Sequence, residues 1–226
     1  YWGTGVLDMK AGVTMALAAV RALQKLKLKR NISLLLNSDE EIGSTFSRPI
    51  TERLAKKSSA VFVLEPAQGL AYKTSRKGVG HYRIEVTGVA AHAGVDFERG
   101  HSAILELSKL VQTISNFTDL KRNLTVNCGV ISGGTRSNVI AEKAYAEIDV
   151  RIARASDAAH IERLFGRLKV SNPHCKLAIT GGINRPPMER KPGTAALFKQ
   201  ARRLAAELGF YLDEEQKQIA LDTIGD

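Results

Sequence analysis

Apolar residues recur every three or four positions across 11–29, where Val13, Leu17, Val20, Leu23 and Leu26 line one side, and this spacing predicts an amphipathic helix. Two unbroken apolar runs, 32–36 and 61–64, predict strands buried on both faces of a parallel sheet, with a second helix over 50–57 between them. Together with a short strand at Gly5-Val6-Leu7, the order strand, helix, strand, helix, strand is that of a doubly wound sheet.

The period changes at Arg76-Lys77-Gly78. Over 81–87, Tyr82, Ile84 and Val86 alternate with more polar residues, as in a strand with one face exposed. A helix is predicted over 103–117, with Ile104, Leu107, Leu110, Val111 and Ile114 on one side. Strands follow at 124–131 and 144–152, then a helix at 157–168 and a strand at 175–180. This β-α-β-β-α-β order predicts a split sandwich with its helices on one face. Arg185-Pro186-Pro187 closes it, and a helix over 194–208 is expected to return to the first domain. The fold class is therefore α/β, a doubly wound and mostly parallel sheet carrying an inserted β-α-β-β-α-β lid. The expected domains are 1–75 and 188–226 for the doubly wound part and 76–187 for the insertion.

At 226 residues and 44% hydrophobic content, the chain has enough apolar material for a large core. No apolar stretch approaches the roughly 20 residues of a membrane span, so no membrane association is expected. The net charge of +10 raises the question of nucleic acid. Lys25, Lys27, Lys29 and Arg30, however, crowd a helix end, where cations complement the dipole, and no aromatic residues interleave with them. A solvated basic surface is the expectation. Cys128 and Cys175 lie far apart without metal-binding spacing and read as ordinary buried or partly buried thiols, and a chain of this size needs no disulfide between them, which favours a reducing, cytoplasmic compartment. The chain opens on Tyr1-Trp2-Gly3-Thr4-Gly5 without an initiator Met and reads as an internal fragment, so an upstream signal peptide stays compatible with it.

The candidate chemistry lies at the strand ends. Asp8, the pair Glu40-Glu41 and Glu65 each follow an apolar run, so one sheet edge could gather all four carboxylates. Taken singly, Asp8 reads as a helix cap, Asp39-Glu40-Glu41 as an exposed acidic turn and Glu65 as a salt-bridge partner. Taken together they suit a pair of divalent cations, with a bridging carboxylate, a terminal ligand on each ion and a separate base.

Leu7-Asp8-Met9-Lys10-Ala11-Gly12, Asp39-Glu40-Glu41-Ile42-Gly43-Ser44, Glu65-Pro66-Ala67, Ala91-His92-Ala93-Gly94, Gly133-Gly134 through Asn138, and Asp149-Val150-Arg151 occur in the order of a known family. The chain resembles the dinuclear zinc peptidases and deacylases that include glutamate carboxypeptidases, aminoacylases, acetylornithine deacetylases and succinyl-diaminopimelate desuccinylases. The resemblance implies that Asp8 bridges two Zn ions, that Glu41 and Glu65 each bind one, and that Glu40 is the catalytic base. Co or Mn could replace Zn at such a site. It also implies a cis peptide at Asp8-Met9, a homodimer formed through the lid, His92 reaching into the partner's active site to steady an oxyanion, and Asn138 and Arg151 on the substrate's carboxylate. The substrate would be a small peptide or N-acyl amino acid. Two histidine ligands usual in the family have no counterpart here, since His81, His92, His101, His160 and His174 all fall in the lid region. The expectation is therefore a zinc-dependent amide hydrolase that is inactive as this chain, the alternative being a non-catalytic dimeric module that binds small carboxylates.

Overall fold

The alternation at 81–87 is realised in full. In the computed structural model, which describes residues 2–67, 69 and 71–215, strand β2 (Gly78–Thr87) buries Tyr82, Ile84 and Val86 and turns His81 and Glu85 outward. β2 pairs with β4 (Lys143–Ile152) on one side and β5 (Lys176–Arg185) on the other, and β3 (Thr125–Gly133) lies outside β4. The result is a four-stranded antiparallel sheet of order β3-β4-β2-β5. Helices α3 (Ala103–Ser115) and α4 (Ser156–Gly166) cover one face, where Leu107, Ile114, Ile161 and Phe165 meet Ile84, Ile148 and Val150 in a single core. Each such side chain contributes roughly 1.5–3 kcal/mol on burial. α3 starts where Ser102 Oγ accepts the Leu105 N–H at 3.2 Å, a side-chain cap that sets the helix boundary.

The strand expected at 175–180 runs on to Arg185, through Gly181-Gly182. Gly181 has φ +98°, and a Cβ there would stand 2.1 Å from the His81 carbonyl oxygen, so the glycine serves close strand pairing rather than a turn. The helix expected over 194–208 is α5 (Pro192–Glu207), which buries Phe198. It belongs to the second of two compact units, which starts at Ala71, as does a short parallel pair of β1 (Ala71–Lys73) with β6 (Asp213–Glu215).

The first unit lies within residues 1–70 and contains α1 (Ala11–Lys25) and α2 (Arg48–Lys56). The strands expected over 32–36 and 61–64 are not formed among the described residues. Leu36 is 73% exposed and Phe62 72%. A parallel strand needs hydrogen-bonded neighbours and a covering layer on each face, and these runs have neither here. Gly5-Val6-Leu7 is likewise no strand: Val6–Lys10 forms a wide turn in which the Lys10 N–H donates to Gly5 O at 2.9 Å. The fold is mixed α/β, with an antiparallel sheet of β2 to β5 and parallel pairing of β1 with β6. Among the described residues no helix is long and apolar enough to cross a membrane. Of the expected return segment 188–226, residues 216–226 fall outside the described residues.

Candidate active site

Asp8 sits in the wide turn before α1, with its carboxylate exposed and a cis peptide joining it to Met9, the bond that the resemblance implied. Lys10 Nζ holds this turn by donating to Thr4 O at 2.7 Å. Gly12, in the first turn of α1, packs so closely on the end of the 61–64 run that a Cβ would stand 2.1 Å from Leu64 O. That approach is what carries Glu65 to the Asp8 turn.

The acidic triplet divides its roles. Asp39 is buried, and its carboxylate accepts the N–H groups of Phe46 (2.8 Å) and Ser47 (3.0 Å), fastening the loop that leads into α2. Hydrogen bonds from Ser47 hold its pKa below the ordinary value. The turn closes through Ser44 N–H to Asp39 O (2.7 Å) and Gly43 N–H to Glu40 O (2.9 Å), leaving Glu40 and Glu41 at the surface.

Glu65 is half-buried, and burial is the largest cause of its raised pKa, followed by the charges of Asp8 and Glu40, a hydrogen bond with Asp8, and the charge of Glu41. The first unit thus brings Asp8, Glu40, Glu41 and Glu65 into one electrostatic neighbourhood. They do not close into a cage: among the described residues, no three His, Cys, Asp or Glu side chains stand as a group that could hold a metal ion. The two observations differ because repulsion acts over a longer range than coordination. The first reports proximity, and the second governs geometry. The chemistry of the donor set fits a hard or borderline divalent cation, whose charge would relieve the crowding around Glu65.

In the second unit, His92 and Asn138 are neighbours. Ala93 N–H donates to Asn138 O at 3.0 Å and Ile140 N–H to Ala91 O at 2.9 Å, so two exposed loops run side by side. His92 Nδ1 accepts the Gly94 N–H at 3.1 Å, which leaves Nε2 as the protonated nitrogen of the neutral ring and points a donor away from the loop. Arg151, on the sheet face opposite the helices, is bidentate to Asp149 (2.8 and 2.9 Å). Residues two apart on a strand share a face, so this pair was readable in the sequence once β4 was assigned. Lys77 escaped the sequence reading. It lies two positions before Val79, the partner of Arg151 in the sheet, and its pKa is lowered by burial and then by Arg151.

Residues 74–168 match the peptidase dimerisation domain of the M20 family. Carboxypeptidase G2 of Pseudomonas sp. (strain RS-16) is 30% identical over 224 residues, covering 96% of this chain and 54% of that protein. A probable carboxypeptidase of Arthroderma otae is 32% identical over 169 residues, covering 67% of this chain and 36% of its own. The crystal structure of aminopeptidase PepT from Bacillus cereus superposes with a TM-score of 0.72 at 19% identity, covering 95% of this chain and 58% of that one. A tripeptidase from Staphylococcus aureus gives 0.55 at 19%, covering 66% and 41%. These two likenesses establish the fold. The chain is homologous to the M20 peptidases and carries their dimerisation domain. It spans about half the length of the curated relatives it matches.

Proposed function

We propose that this chain supplies the carboxylates of a dinuclear zinc centre in an amide hydrolase acting on a small peptide or N-acyl amino acid of the glutamate carboxypeptidase type. The observation that carries the reading is a half-buried Glu65 under repulsion from three other carboxylates, a costly arrangement that a cation offsets. Asp8 would bridge the ions, with Glu41 and Glu65 as terminal ligands, and Co or Mn could serve in place of Zn. When bound, zinc supplies Lewis acidity toward the scissile carbonyl and lowers the pKa of water. Glu40 would accept the proton of the attacking water and pass it to the leaving nitrogen. The His92 Nε2–H would donate to the developing oxyanion of the partner subunit's substrate, and Asn138 and Arg151 would hold the substrate's carboxylate, the Asp149 brace keeping the guanidinium in one orientation. In this reading 1–75 and 188–226 belong to one catalytic domain and 76–187 to its lid.

With only carboxylate ligands in the first unit and every histidine of the chain at residue 81 or beyond, this chain alone binds zinc weakly and turns over no substrate. Calorimetric titration with Zn²⁺ checks the ligand set. Uptake by the unaltered chain and at least a tenfold loss of affinity in Asp8→Asn are expected, by the order of magnitude that ligand-shell changes carry. No uptake with Asp8, Glu41 and Glu65 intact would remove the hydrolase reading. The second reading is a metal-independent module that binds small carboxylates on Asn138 and Arg151, favoured by the bidentate Asp149 brace that orients the guanidinium. Binding of N-acetylglutamate in the presence of EDTA, abolished by Arg151→Met, would support that module.

A homodimer through the lid fits edge strand β3, whose outer side has no strand partner among the described residues. Val130 and Ile131 on β3 and Ile104 and Leu105 on α3 are exposed. Two copies pairing β3 to β3 about a two-fold axis would cover these side chains and remove the open edge. Ile131→Lys is expected to shift the mass measured by light scattering from dimer to monomer. An unchanged dimer would place the contact elsewhere.

A further inference from the structure

The sandwich of β2 to β5 joins the rest of the second unit through two chain crossings, one leading from β1 into β2 and the other from β5 into α5. The crossings are bonded to each other. Arg76 N–H donates to Met188 O at 2.9 Å and Met188 N–H to Arg76 O at 3.0 Å, one antiparallel bridge. Thr74 lies two residues before this bridge on the first crossing and Arg190 two residues after it on the second. Both reach Glu214 on β6. Thr74 Oγ1 donates to Glu214 Oε1 at 2.6 Å, and Arg190 donates through Nε to Oε1 at 2.6 Å and through Nη2 to Oε2 at 3.2 Å. Thr74 is buried, and the Glu214 side chain is 14% exposed. One carboxylate therefore grips both crossings from a third strand, and it does so in a shielded position where such bonds are stronger than at the surface.

We propose that Glu214 is the latch of a two-strand hinge and sets the angle at which the sandwich is carried on the β1–β6 pair. With the latch closed, the crossings act as one rigid ribbon. With it released, the backbone bridge at Arg76 and Met188 and the bond from the Ala155 N–H to Glu189 Oε1 (2.8 Å) are what resist bending among the described residues, and short crossings with few anchoring bonds are where domain rotation is absorbed. The latch depends on the fold of the second unit alone, so it stands whether or not the chain belongs to a zinc hydrolase.

The test uses the full chain and Glu214→Gln, read by amide hydrogen exchange and residual dipolar couplings. In the unaltered protein the Arg76 and Met188 amides are protected, and the sandwich and α5 fit one alignment tensor. In Glu214→Gln those two amides exchange about tenfold faster or more and the sandwich and α5 need separate tensors, while the core amides of Ile84 and Ile148 keep their protection. Unchanged exchange at Arg76 and Met188 with one shared tensor overturns the proposal. So does faster exchange at Ile84 to the same degree, which would make Glu214 a general stabiliser. Should Glu214→Gln fail to fold, Thr74→Val decides: it removes one grip, keeps the Arg190 ion pair, and must quicken exchange at Arg76 and Met188 while sparing Ile84.

Discussion

Glu106→Gln is expected to destabilise the second unit by roughly 2–4 kcal/mol at pH 7, the range for stripping charge from a buried, multiply bonded carboxylate. Glu106 is 3% exposed on α3. Its carboxylate accepts Lys109 Nζ (2.6 Å), the Ser171 N–H (2.5 Å), the Ser171 hydroxyl (2.8 Å) and the Asn172 N–H (3.2 Å). Burial alone would push its pKa up, but the bonds from Lys109, Ser171 and Asn172 outweigh burial and hold it at about 2. A glutamine would turn an NH₂ group toward these donors and lose the charge that Lys109 pairs with. The pH dependence has a definite sign. A carboxyl whose folded pKa is depressed from 4.5 to about 2 contributes stability that is present above the unfolded value and lost as pH falls through the interval to the folded one. Thermal melts of the two proteins should therefore differ by roughly 5–12 °C at pH 7 and converge between pH 4.5 and 2. A gap that stays constant down to pH 2 would mean that the carboxylate charge is not what stabilises the loop.

The consequence reaches the candidate site. Asn172, held by Glu106, also contacts His101 Nδ1 at 3.1 Å, and the His101 backbone exchanges hydrogen bonds with Val89, three residues before His92. Loosening the loop at 171–172 should thus raise amide exchange at Val89 along with Ser171.

Phe165→Ala is expected to cost roughly 3–5 kcal/mol, the range for emptying an aromatic site in a core that relaxes only in part. Phe165 on α4 is 2% exposed. It stacks on Tyr82 of β2 with ring centres 3.9 Å apart and 4° between planes, and meets Phe117 edge-on at 5.6 Å. The side chain therefore ties α4 to the central strand and to the end of α3 at one point. Trp2, the single tryptophan, is fully exposed in the other unit, so its fluorescence is a poor monitor of this change. Amide exchange gives the direct measurement: protection at Ile84 and Ile148 should fall by the full unfolding cost while amides of α1 keep theirs. If Ile84 keeps its protection in Phe165→Ala, the α4 packing does not hold the sheet and the core is anchored by α3 alone.

Sequence by itself determined the elements of the sandwich and their order, though β2 starts three residues earlier and β5 ends five residues later than expected, because a half-covered sheet writes its burial into a period of two and a covering helix into a period of 3.6. Tyr82, Ile84, Val86, Leu107 and Ile114 could be placed on that basis before any pairing was known. It also determined which residue types could do chemistry, since acids crowded at the ends of apolar runs carry a cost wherever they fold. Tertiary structure decided what those acids do. Asp39 became a buried loop fastener while Glu40 and Glu41 stayed at the surface. Glu106 and Glu214 became structural anchors through partners 65 and 140 residues away in the chain. The runs at 32–36 and 61–64 carry the strand signal yet lack the neighbours that would make them strands. The reason is the same in each case. Periodicity is a local property, carried by a dozen residues, whereas the worth of a charge or of an apolar strand is set by what the rest of the chain brings against it.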